Sequence, residues 1–439
     1  GPPSPHRTDR TSSATAAKAT RRQGNPAARQ PGGKATRRQG NPAARQPGGK
    51  ASPWEHGAMA DLTQLRSTLG DWFDSQGRSC AALGSPLSGA LVPNVGEQVR
   101  SGRYDALLAP LERWRFGDAM PLRLMGAAHA LALSGDAPAL AAAYPSCRPN
   151  TRLGGAAPPA DAVFEALASH PDHAADFLHR AVQTNETGRA AALALGLSAL
   201  AGMPGLSGPI SLVEVGTSAG LNLRMDRFAY LDGHRSTGEQ PLAGDPASLV
   251  RLAPEWVGGA PHLHEWQVDD RIGLDPHPAD PTDPDVALRL HSYLWPDQTE
   301  RRKRLDGAVQ LAAAVPATLI ETDDTAATLD GVLADRAGSR PTMVFQSIMW
   351  QYVPTAERWP ITRAIEAAGE RATKAAPLVR VSFEPDEFRR DRAAVQLRCW
   401  PGGSGTLLAH ADYHGRWVQP LPTMYAGRRS AVVLTGEDL

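Results

Sequence analysis

The residues with the clearest chemical potential lie in the segment 214–220, which reads Glu-Val-Gly-Thr-Ser-Ala-Gly. An apolar run typical of a buried strand precedes this segment, and a helix is predicted to begin near Ala219. Gly216 permits a sharp turn, and Gly220 lets the helix start lie close to a ligand. The methionine part of S-adenosylmethionine can lie against such a backbone, while an acidic side chain holds its ammonium group. The predicted cofactor-binding residues of this loop are Glu214, Gly216, Ser218 and Gly220.

The same segment also fits a different chemistry, because Gly-x-Ser-x-Gly is the nucleophile elbow of α/β hydrolases. Ser218 would then be the nucleophile, with Asp323 and either His410 or His414 completing a triad. In a hydrolase the elbow follows several strands, whereas this loop follows helices and the first predicted strand. The order of elements therefore favours the cofactor loop. A non-catalytic binding protein on the same fold is a third hypothesis.

Further acidic side chains follow two later predicted strands. Asp275 ends the strand predicted over 266–274 and can accept from ribose hydroxyls, and Asp323 follows the strand predicted over 317–321 and can reach an adenine amino group. Ligands of doubly wound sheets bind beyond the carboxyl ends of the strands, so both acids are predicted to bind the cofactor. Asp275 follows the glycine loop by 55 residues, where about twenty is usual. We therefore interpret 229–265 as an insertion or hairpin.

Strands and helices alternate through the second half of the chain, and a β-hairpin follows them. The main predicted strands are an apolar strand that ends at Glu214, followed by 266–274, 317–321, 342–347, 378–383, 395–400 and 406–411. The predicted helices are 61–75, 86–100, 103–113, 119–133, 160–168, 171–183, 187–201, 284–294, 299–314 and 355–369. This order is typical of class I methyltransferases, in which an antiparallel final strand inserts into a parallel sheet. We predict an α/β fold over 206–439, a class I methyltransferase-like doubly wound sheet with an antiparallel C-terminal hairpin, preceded by an all-helical N-terminal domain or cap over 59–205.

Composition narrows the possible partners. Residues 59–439 hold 35 basic and 44 acidic side chains, a balance that gives no general attraction to DNA or membranes. Three scattered cysteines suit a reducing cytoplasm, and no apolar run is long enough to span a bilayer. His262, His264 and His277 form no closed ligand set with nearby acids, so no metal is predicted. We predict a cytoplasmic protein with a small-molecule substrate, no membrane partner and no nucleic-acid partner.

The first 58 residues have a different character. The unit KATRRQGNPAARQPGG occupies 18–33 and is repeated without change at 34–49. It contains no Leu, Ile, Val or aromatic residue, so it cannot bury enough apolar surface to fold. A basic nucleic-acid-binding tail is one interpretation. We favour a recent DNA duplication read from an upstream start, with Met59 as the natural initiator, and we predict that 1–58 is a disordered repeat tail without a part in function.

Motifs distributed over much of the chain resemble a bacterial family, domain of unknown function 2332. The matching residues are Thr184-Asn185-Glu186 with Gly188-Arg189, Glu214-Val215-Gly216 with Ser218-Ala219-Gly220-Leu221-Asn222-Leu223, Asp226-Arg227-Phe228, Arg271 with Gly273 and Asp275, Trp295-Pro296-Asp297-Gln298 with Glu300-Arg301, and Ser347 with Tyr352. The chain departs from the family pattern at Thr217, where alanine is expected, and at Gln346, where histidine is expected. The second departure argues against histidine-dependent chemistry at that position.

The resemblance implies a methyltransferase-like Rossmann domain but brings no established reaction. It gives weight to the polar stretch 183–189, which composition alone explains as a helix cap. On this basis Glu186 is predicted as the catalytic general base of a methyl transfer. The predicted substrate-binding residues are Asn185, Arg189, Arg271, Ser347 and Tyr352.

Overall fold

The computed structural model describes residues 53–148, 158–233 and 240–422, with side chains from residue 61 onward. The α-helices are α1 (Pro53–Ala82), α2 (Pro86–Arg100), α3 (Asp105–Leu108), α4 (Met120–Ser134), α5 (Pro138–Ala143), α6 (Ala160–Ser169), α7 (Pro171–His179), α8 (Ala190–Ala201), α9 (Pro284–Ser292), α10 (Thr299–Ala314), α11 (Thr325–Ala334) and α12 (Thr355–Gly369). The strands are β1 (Ile210–Val215), β2 (Ala229–Asp232), β3 (Gln240–Gly244), β4 (Arg251–Leu252), β5 (Glu255–Trp256), β6 (Val268–Asp275), β7 (Thr318–Glu321), β8 (Thr342–Ser347), β9 (Leu378–Pro385), β10 (Ala393–Trp400), β11 (Ser404–Ala411) and β12 (Trp417–Pro420). Short 3₁₀ helices span Leu111–Arg113, Phe116–Asp118, Pro145–Cys147, Thr187–Arg189, Leu221–Arg227 and Trp350–Tyr352.

The larger of the two sheets passes through the centre of the α/β part. Its strand order is β5-β12-β11-β10-β9-β8-β1-β6-β7. Strands β7, β6, β1, β8 and β9 are parallel to one another, and β10, β11 and β12 continue the sheet in antiparallel fashion. The described residues therefore form a mixed α/β fold with a large, mostly parallel sheet. This confirms the predicted fold class at that level, and β10 and β11 form the predicted antiparallel hairpin.

Strand β1 is buried along its whole length because helices cover both faces of the sheet. Leu212 points into a core that also receives α8 and α10, whereas Val213 points into a second core with α11 and α12. A strand covered on both sides is expected to be mostly apolar, and four of the six residues here are. The two polar exceptions have partners, since Ser211 donates to Asp270 Oδ2 (2.6 Å) and Glu214 accepts from a neighbouring threonine.

The described residues between 61 and 205 contain helices and turns only. Helices α1 to α7 share an apolar core around Phe73, Leu124 and Phe177, and Tyr293 joins it from the end of α9. Helix α8, in contrast, packs on the sheet with residues of β1, β8 and β9. From Trp54 onward the described chain forms one compact unit.

Three local predictions need correction or fall outside the described residues. The helix expected near Ala219 is a 3₁₀ helix that begins at Leu221, because Gly220 takes a left-handed conformation (φ 65°) just before it. Residues 1–52 of the predicted repeat tail lie outside the described residues. Helix α1 nevertheless begins at Pro53, a residue type that suits the first helical position, so the helix includes the last six residues assigned to that tail.

The contact between α8 and the sheet predicts a measurable asymmetry between two helical glycines. A Cβ at Gly196 of α8 would lie 2.4 Å from Val381 Cγ2, whereas a Cβ at Gly331 of α11 would meet nothing within 4 Å. We expect Gly196→Ala to lower the free energy of unfolding by about 1–3 kcal/mol through overpacking. Gly331→Ala should raise it by up to about 1 kcal/mol through helix propensity. Urea unfolding measures both, and equal effects would contradict this packing.

Candidate functional site

The glycine loop turns at the carboxyl end of β1 and is fastened to β6. Gly216 adopts a φ of 73°, and the N–H groups of Gly216 and Thr217 both donate to Leu274 O (2.8 and 3.1 Å). The Ser218 N–H donates to Asp275 Oδ2 (2.8 Å), and Asp275 Oδ1 accepts from the His277 N–H (2.9 Å). The structure thus brings the predicted residues of the loop and Asp275 together, and the Asp275 carboxylate holds the loop by a hydrogen bond from its backbone.

The chain's own side chains lie against both glycines of this loop. A Cβ at Gly216 would come within 2.9 Å of the Met349 side chain, and a Cβ at Gly220 within 2.8 Å of Leu319 Cδ2. The Leu221 N–H that follows donates to Asn185 Oδ1 (2.5 Å). A ligand that touches Gly216 must therefore displace Met349, and the loop amides named so far already have protein partners.

Glu214 is almost fully buried at the end of β1, where its Oε2 accepts from Thr217 Oγ1 (2.8 Å). Burial, assisted by the charge of Asp275, raises the pKa of Glu214 to about 8, so the carboxyl is mostly protonated at neutral pH. A neutral carboxyl exchanges hydrogen bonds with a ligand but does not attract a cation as a carboxylate does. The ammonium group of the predicted cofactor would bind more strongly to an ionised Glu214 than to this neutral carboxyl.

The other residues predicted from the carboxyl ends of the strands are more exposed. Asp323 follows β7 on the surface, and its neighbour Asp324 caps α11 by accepting from the Ala327 N–H (3.0 Å). Tyr352 lies in the 3₁₀ helix after β8 and is 67% exposed. Their positions leave both side chains free to meet a ligand from solvent.

The polar stretch 184–189 lies beside this loop around a buried ion cluster. Glu186 Oε2 accepts from Arg301 Nε (2.6 Å), and Arg304 approaches its other oxygen (3.7 Å). Burial alone would raise the pKa of Glu186, but the charges of Arg301 and Arg304 hold it at about 2. A carboxylate of such low basicity is a poor proton acceptor at neutral pH, so this geometry does not favour the predicted general-base role.

Two further residues of the polar stretch connect the cluster to the sheet edge. Arg189 is buried and donates to Ser347 O and Tyr413 O (both 3.1 Å). These hydrogen bonds hold Ser347 next to Arg189. Asn185 accepts from the loop, as described above. The cluster is completed by His414, whose pKa is lowered to about 3 by burial and by the charge of Arg301. Arg301 and Arg304 are not among the predicted site residues, although Arg301 belongs to the family motif, and His414 is predicted only as a possible member of a hydrolase triad.

Arg271 is not brought to this site. Its guanidinium pairs with Asp226, with Nη2 2.5 Å from Oδ2 and Nε 3.3 Å from Oδ1, and it also donates to Val268 O (3.2 Å). Both side chains are at most 6% exposed. Arg271 lies within β6 opposite Leu212, away from the carboxyl edge. The predicted substrate-binding arginine is therefore occupied by an internal ion pair.

Among the described residues, no hydrogen bond joins the residues of the predicted serine-hydrolase triad. Ser218 takes a left-handed φ of 51°, as a strained turn requires, but its buried Oγ has no hydrogen-bond partner among the described residues. His410 lies beside Asp386 (3.4 Å), and His414 packs against Trp295 (5.3 Å between ring centres). Neither histidine is hydrogen-bonded to Ser218 Oγ in the described part of the chain.

A polar cleft of about 770 Å³ opens on the same side of the sheet as α12, over β8 to β11. Its lining includes Gln346, Trp350, Arg380, Glu384, Arg398 and His410. Sequence analysis missed it because these residues are scattered over several strands. The signal was present in β9, where Arg380, Ser382 and Glu384 alternate with apolar residues, the pattern of a strand with one open face.

The fold and the site define an α/β protein with polar residues gathered at the carboxyl edge of a mostly parallel sheet. The chain belongs to the family described as uncharacterized protein conserved in bacteria, domain of unknown function 2332, which matches residues 70–419. This confirms the resemblance that the motifs carry. No curated protein and no solved structure matches the chain.

The described residues contain neither a metal-binding cluster nor a membrane-spanning helix. No group of three or more His, Cys, Asp or Glu side chains there is arranged to hold a metal ion. None of the helices within the described ranges is both long and apolar enough to cross a membrane.

The ion cluster predicts a large cost for removing one partner. Arg301→Gln leaves the Glu186 carboxylate buried without its main partner, and we expect a loss of roughly 3–5 kcal/mol in the free energy of unfolding. Adding Glu186→Gln should restore much of that loss. The control on the same helix is Lys303→Gln, whose pair with Glu300 is exposed and should be worth less than about 1 kcal/mol. Urea unfolding of wild type, the two single variants and the double variant measures these changes. Equal losses of unfolding free energy for Arg301→Gln and Lys303→Gln would contradict the cluster.

The raised pKa of Glu214 predicts a pH dependence of stability. Between its ordinary value of 4.5 and about 8, the unfolded carboxyl is ionised while the folded carboxyl keeps its proton. Stability should therefore fall as pH rises through this window, by up to about 1.4 kcal/mol per pH unit. Glu214→Gln keeps the acceptor for Thr217 and cannot ionise, so its stability relative to wild type should increase from pH 5.5 to 7.5. Exposed Glu370→Gln is the control, and a constant difference for Glu214→Gln would refute the assignment.

Proposed function

We propose that the protein is an S-adenosylmethionine-dependent methyltransferase acting on a small molecule. The observation that carries the proposal is the order of the parallel strands. The parallel part of the large sheet has the strand order β7, β6, β1, β8 and β9. In chain order these are the third, second, first, fourth and fifth parallel strands. The order reverses between β1 and β8, and ligands of doubly wound sheets bind in the crevice at such a switch point.

The polar residues at this crevice also support the proposal. The loop from Gly216 to Gly220 lies at the carboxyl end of β1, Asp275 at that of β6, and Asp323 beyond that of β7. In the proposed complex Asp275 would accept from ribose hydroxyls and Asp323 from an adenine amino group. The mostly neutral Glu214 would give the methionine end a hydrogen-bonding partner.

The sheet departs from the class I pattern in one respect. In class I methyltransferases the final antiparallel strand inserts into the sheet, whereas here β10 pairs with β9 and β11 lies outside β10. The antiparallel strands therefore continue the sheet away from the cofactor crevice. They form the wall of the polar cleft and give the substrate side of the proposed enzyme its shape.

Catalysis would come mainly from positioning. Methyl transfer needs the nucleophile in line with the sulfonium, and holding both reactants in that geometry removes much of the entropic barrier. Arg189 fixes the end of β8 by donating to Ser347 O, and Asn185 fixes the start of the 3₁₀ helix after the loop. Both residues are thus better described as positioning residues than as direct ligands of the substrate.

A non-catalytic binding protein on this fold is the second candidate, and one observation favours it. Met349 lies against Gly216, and the chain satisfies the loop amides of Gly216, Thr217 and Ser218 by itself. A protein that had lost the cofactor would have this closed arrangement permanently. A methyltransferase would open it by moving Met349, including its Cβ, away from Gly216.

Calorimetry with S-adenosylmethionine and S-adenosylhomocysteine distinguishes the two candidates. We expect wild type to bind both nucleosides with a Kd below about 1 mM, and Met349→Ala to bind about 2–10-fold more tightly because the side chain beyond Cβ no longer has to be displaced. Gly216→Val should abolish binding. Gly205→Val is the matched control, since Gly205 also has a positive φ (80°) but nothing near its Cβ position. Absence of binding by wild type and by Met349→Ala would leave the non-catalytic candidate.

A further inference from the structure

The polar cleft exists because, among the described residues, no helix covers one face of the antiparallel strands over most of their length. Val381, Phe383, Val395 and Leu397 point into the core beneath α8. On the opposite face, α12 packs near Leu378 and Trp400, at one end of β9 and β10. The remaining part of that face carries polar side chains and lines the cleft.

Arg380 on β9 is the cation that the cleft leaves unmatched. It makes no ion pair with an acidic side chain among the described residues, and its Nε is buried without a partner. Its Nη2 donates to Gln346 Oε1 (3.0 Å), and its guanidinium lies 5.0 Å from the centre of the Trp350 ring. Burial lowers the pKa of Arg380, whereas the charges of Glu384 and Glu366 raise it. No ion pair among the described residues joins either carboxylate to this guanidinium, so a charge largely withdrawn from water lacks a direct counter-ion, and the site favours an anion.

A second arginine stands directly opposite. Arg398 is the cross-strand partner of Arg380 on β10, and like charges in such a pair repel. Arg398 is itself paired with Glu366 (2.6 Å) and also donates to Gly403 O (3.0 Å). The neutralised arginine and the unmatched one together form a cationic side of the cleft, against which an oxyanion can lie.

Glu384 gives the cleft a second kind of polar group. Its Oε1 accepts from the Trp350 N–H (3.2 Å), the Met349 N–H and Gln346 Nε2 (both 3.3 Å), while its Oε2 is buried without a partner. Burial raises the pKa of Glu384. Gln346 bridges the two unmatched groups, because its carbonyl accepts from Arg380 and its amide donates to Glu384. Oε2 is therefore available for a hydroxyl or an amino group.

We propose that this cleft binds a small anion, a carboxylate or a phosphate, that also carries a hydroxyl or an amino group. The anionic end lies on Arg380, and the hydroxyl or amino group meets Glu384 Oε2. Phe388, which is 92% exposed on the lining, offers an apolar contact at the rim. The ligand supplies the counter-charge and the hydrogen bond that the protein lacks at these two atoms.

The cleft adjoins the glycine loop through Met349. The Met349 N–H donates to Glu384, and the Met349 side chain lies against Gly216. An anion in the cleft would thus be next to the proposed cofactor crevice and would be the methyl acceptor. This last assignment rests on the proposed function, whereas anion binding itself does not.

The test is calorimetry without nucleoside, using three probes that share a small size. Lactate carries a carboxylate and a hydroxyl, glycerol 3-phosphate carries a phosphate and hydroxyls, and glycerol is uncharged. We expect at least one anion to bind and glycerol not to bind, and the stronger anion identifies the preferred oxyanion. Arg380→Gln should weaken binding at least about tenfold, Arg380→Lys should weaken it less, and exposed Arg78→Gln should leave it unchanged.

A stability measurement guards against a variant that merely misfolds. Because Arg380→Gln removes an unmatched buried cation, its urea midpoint in anion-free buffer should equal or exceed that of wild type. The proposal is overturned if glycerol binds as well as the anions, if a folded Arg380→Gln keeps full affinity, or if neither anion binds. If an anion binds while S-adenosylmethionine does not, the cleft stands and the methyltransferase assignment fails.

Discussion

The arrangement of the carboxyl edge depends on one buried ion pair, between Glu186 and Arg301. This pair attaches the polar stretch 184–189, which precedes α8, to helix α10. Only 10% of the Arg301 side chain is exposed. Because the neighbours in sequence are fixed with it, Asn185 reaches the Leu221 N–H and Arg189 reaches Ser347 O. A single buried charge pair thereby sets the relative positions of the glycine loop, the end of β8 and the turn at Tyr413.

Around this fixed frame, the loop itself is held in a closed form. Asp275 and Leu274 satisfy its backbone amides, and Met349 covers Gly216. Two buried atoms without hydrogen-bond partners, Arg380 Nε and Glu384 Oε2, belong to the adjoining cleft, and the Met349 N–H donates to the other oxygen of Glu384. We infer two adjacent binding sites, in which the crevice at Gly216 binds a nucleoside and the cleft binds an anion. The flexible side chain of Met349 separates the two.

Much of the fold follows from the sequence because its signals are local. Strand 342–347 and helices 299–314 and 355–369 are predicted to the residue, since apolar runs and helical periodicity end at clear polar or proline positions. The 3₁₀ helix after the loop was not foreseen, because a left-handed Gly220 and a cap from Asn185 decide it. The cap comes from a residue 36 positions earlier in the chain.

The candidate site was predicted less well, since motif residues of the same type have different tertiary partners. Asp275 lies at the loop, as its place after a strand indicates. Arg271 belongs to the same motif, yet its partner Asp226 is 45 residues away and turns it into a structural ion pair. The basicity of Glu186 likewise depends on Arg301, which is 115 residues distant. Separations of this size leave no periodic signal in a single sequence.

The central claim is that a nucleoside enters the crevice at Gly216 by displacing Met349. The most direct measurement is NMR of protein labelled with methyl-¹³C methionine, in which Met349→Leu assigns one of eight methionine signals. On titration with unlabelled S-adenosylhomocysteine, the Met349 signal should shift, while that of Met125, in the helical part, should stay in place. A Met349 signal that does not move at saturating nucleoside would contradict the account.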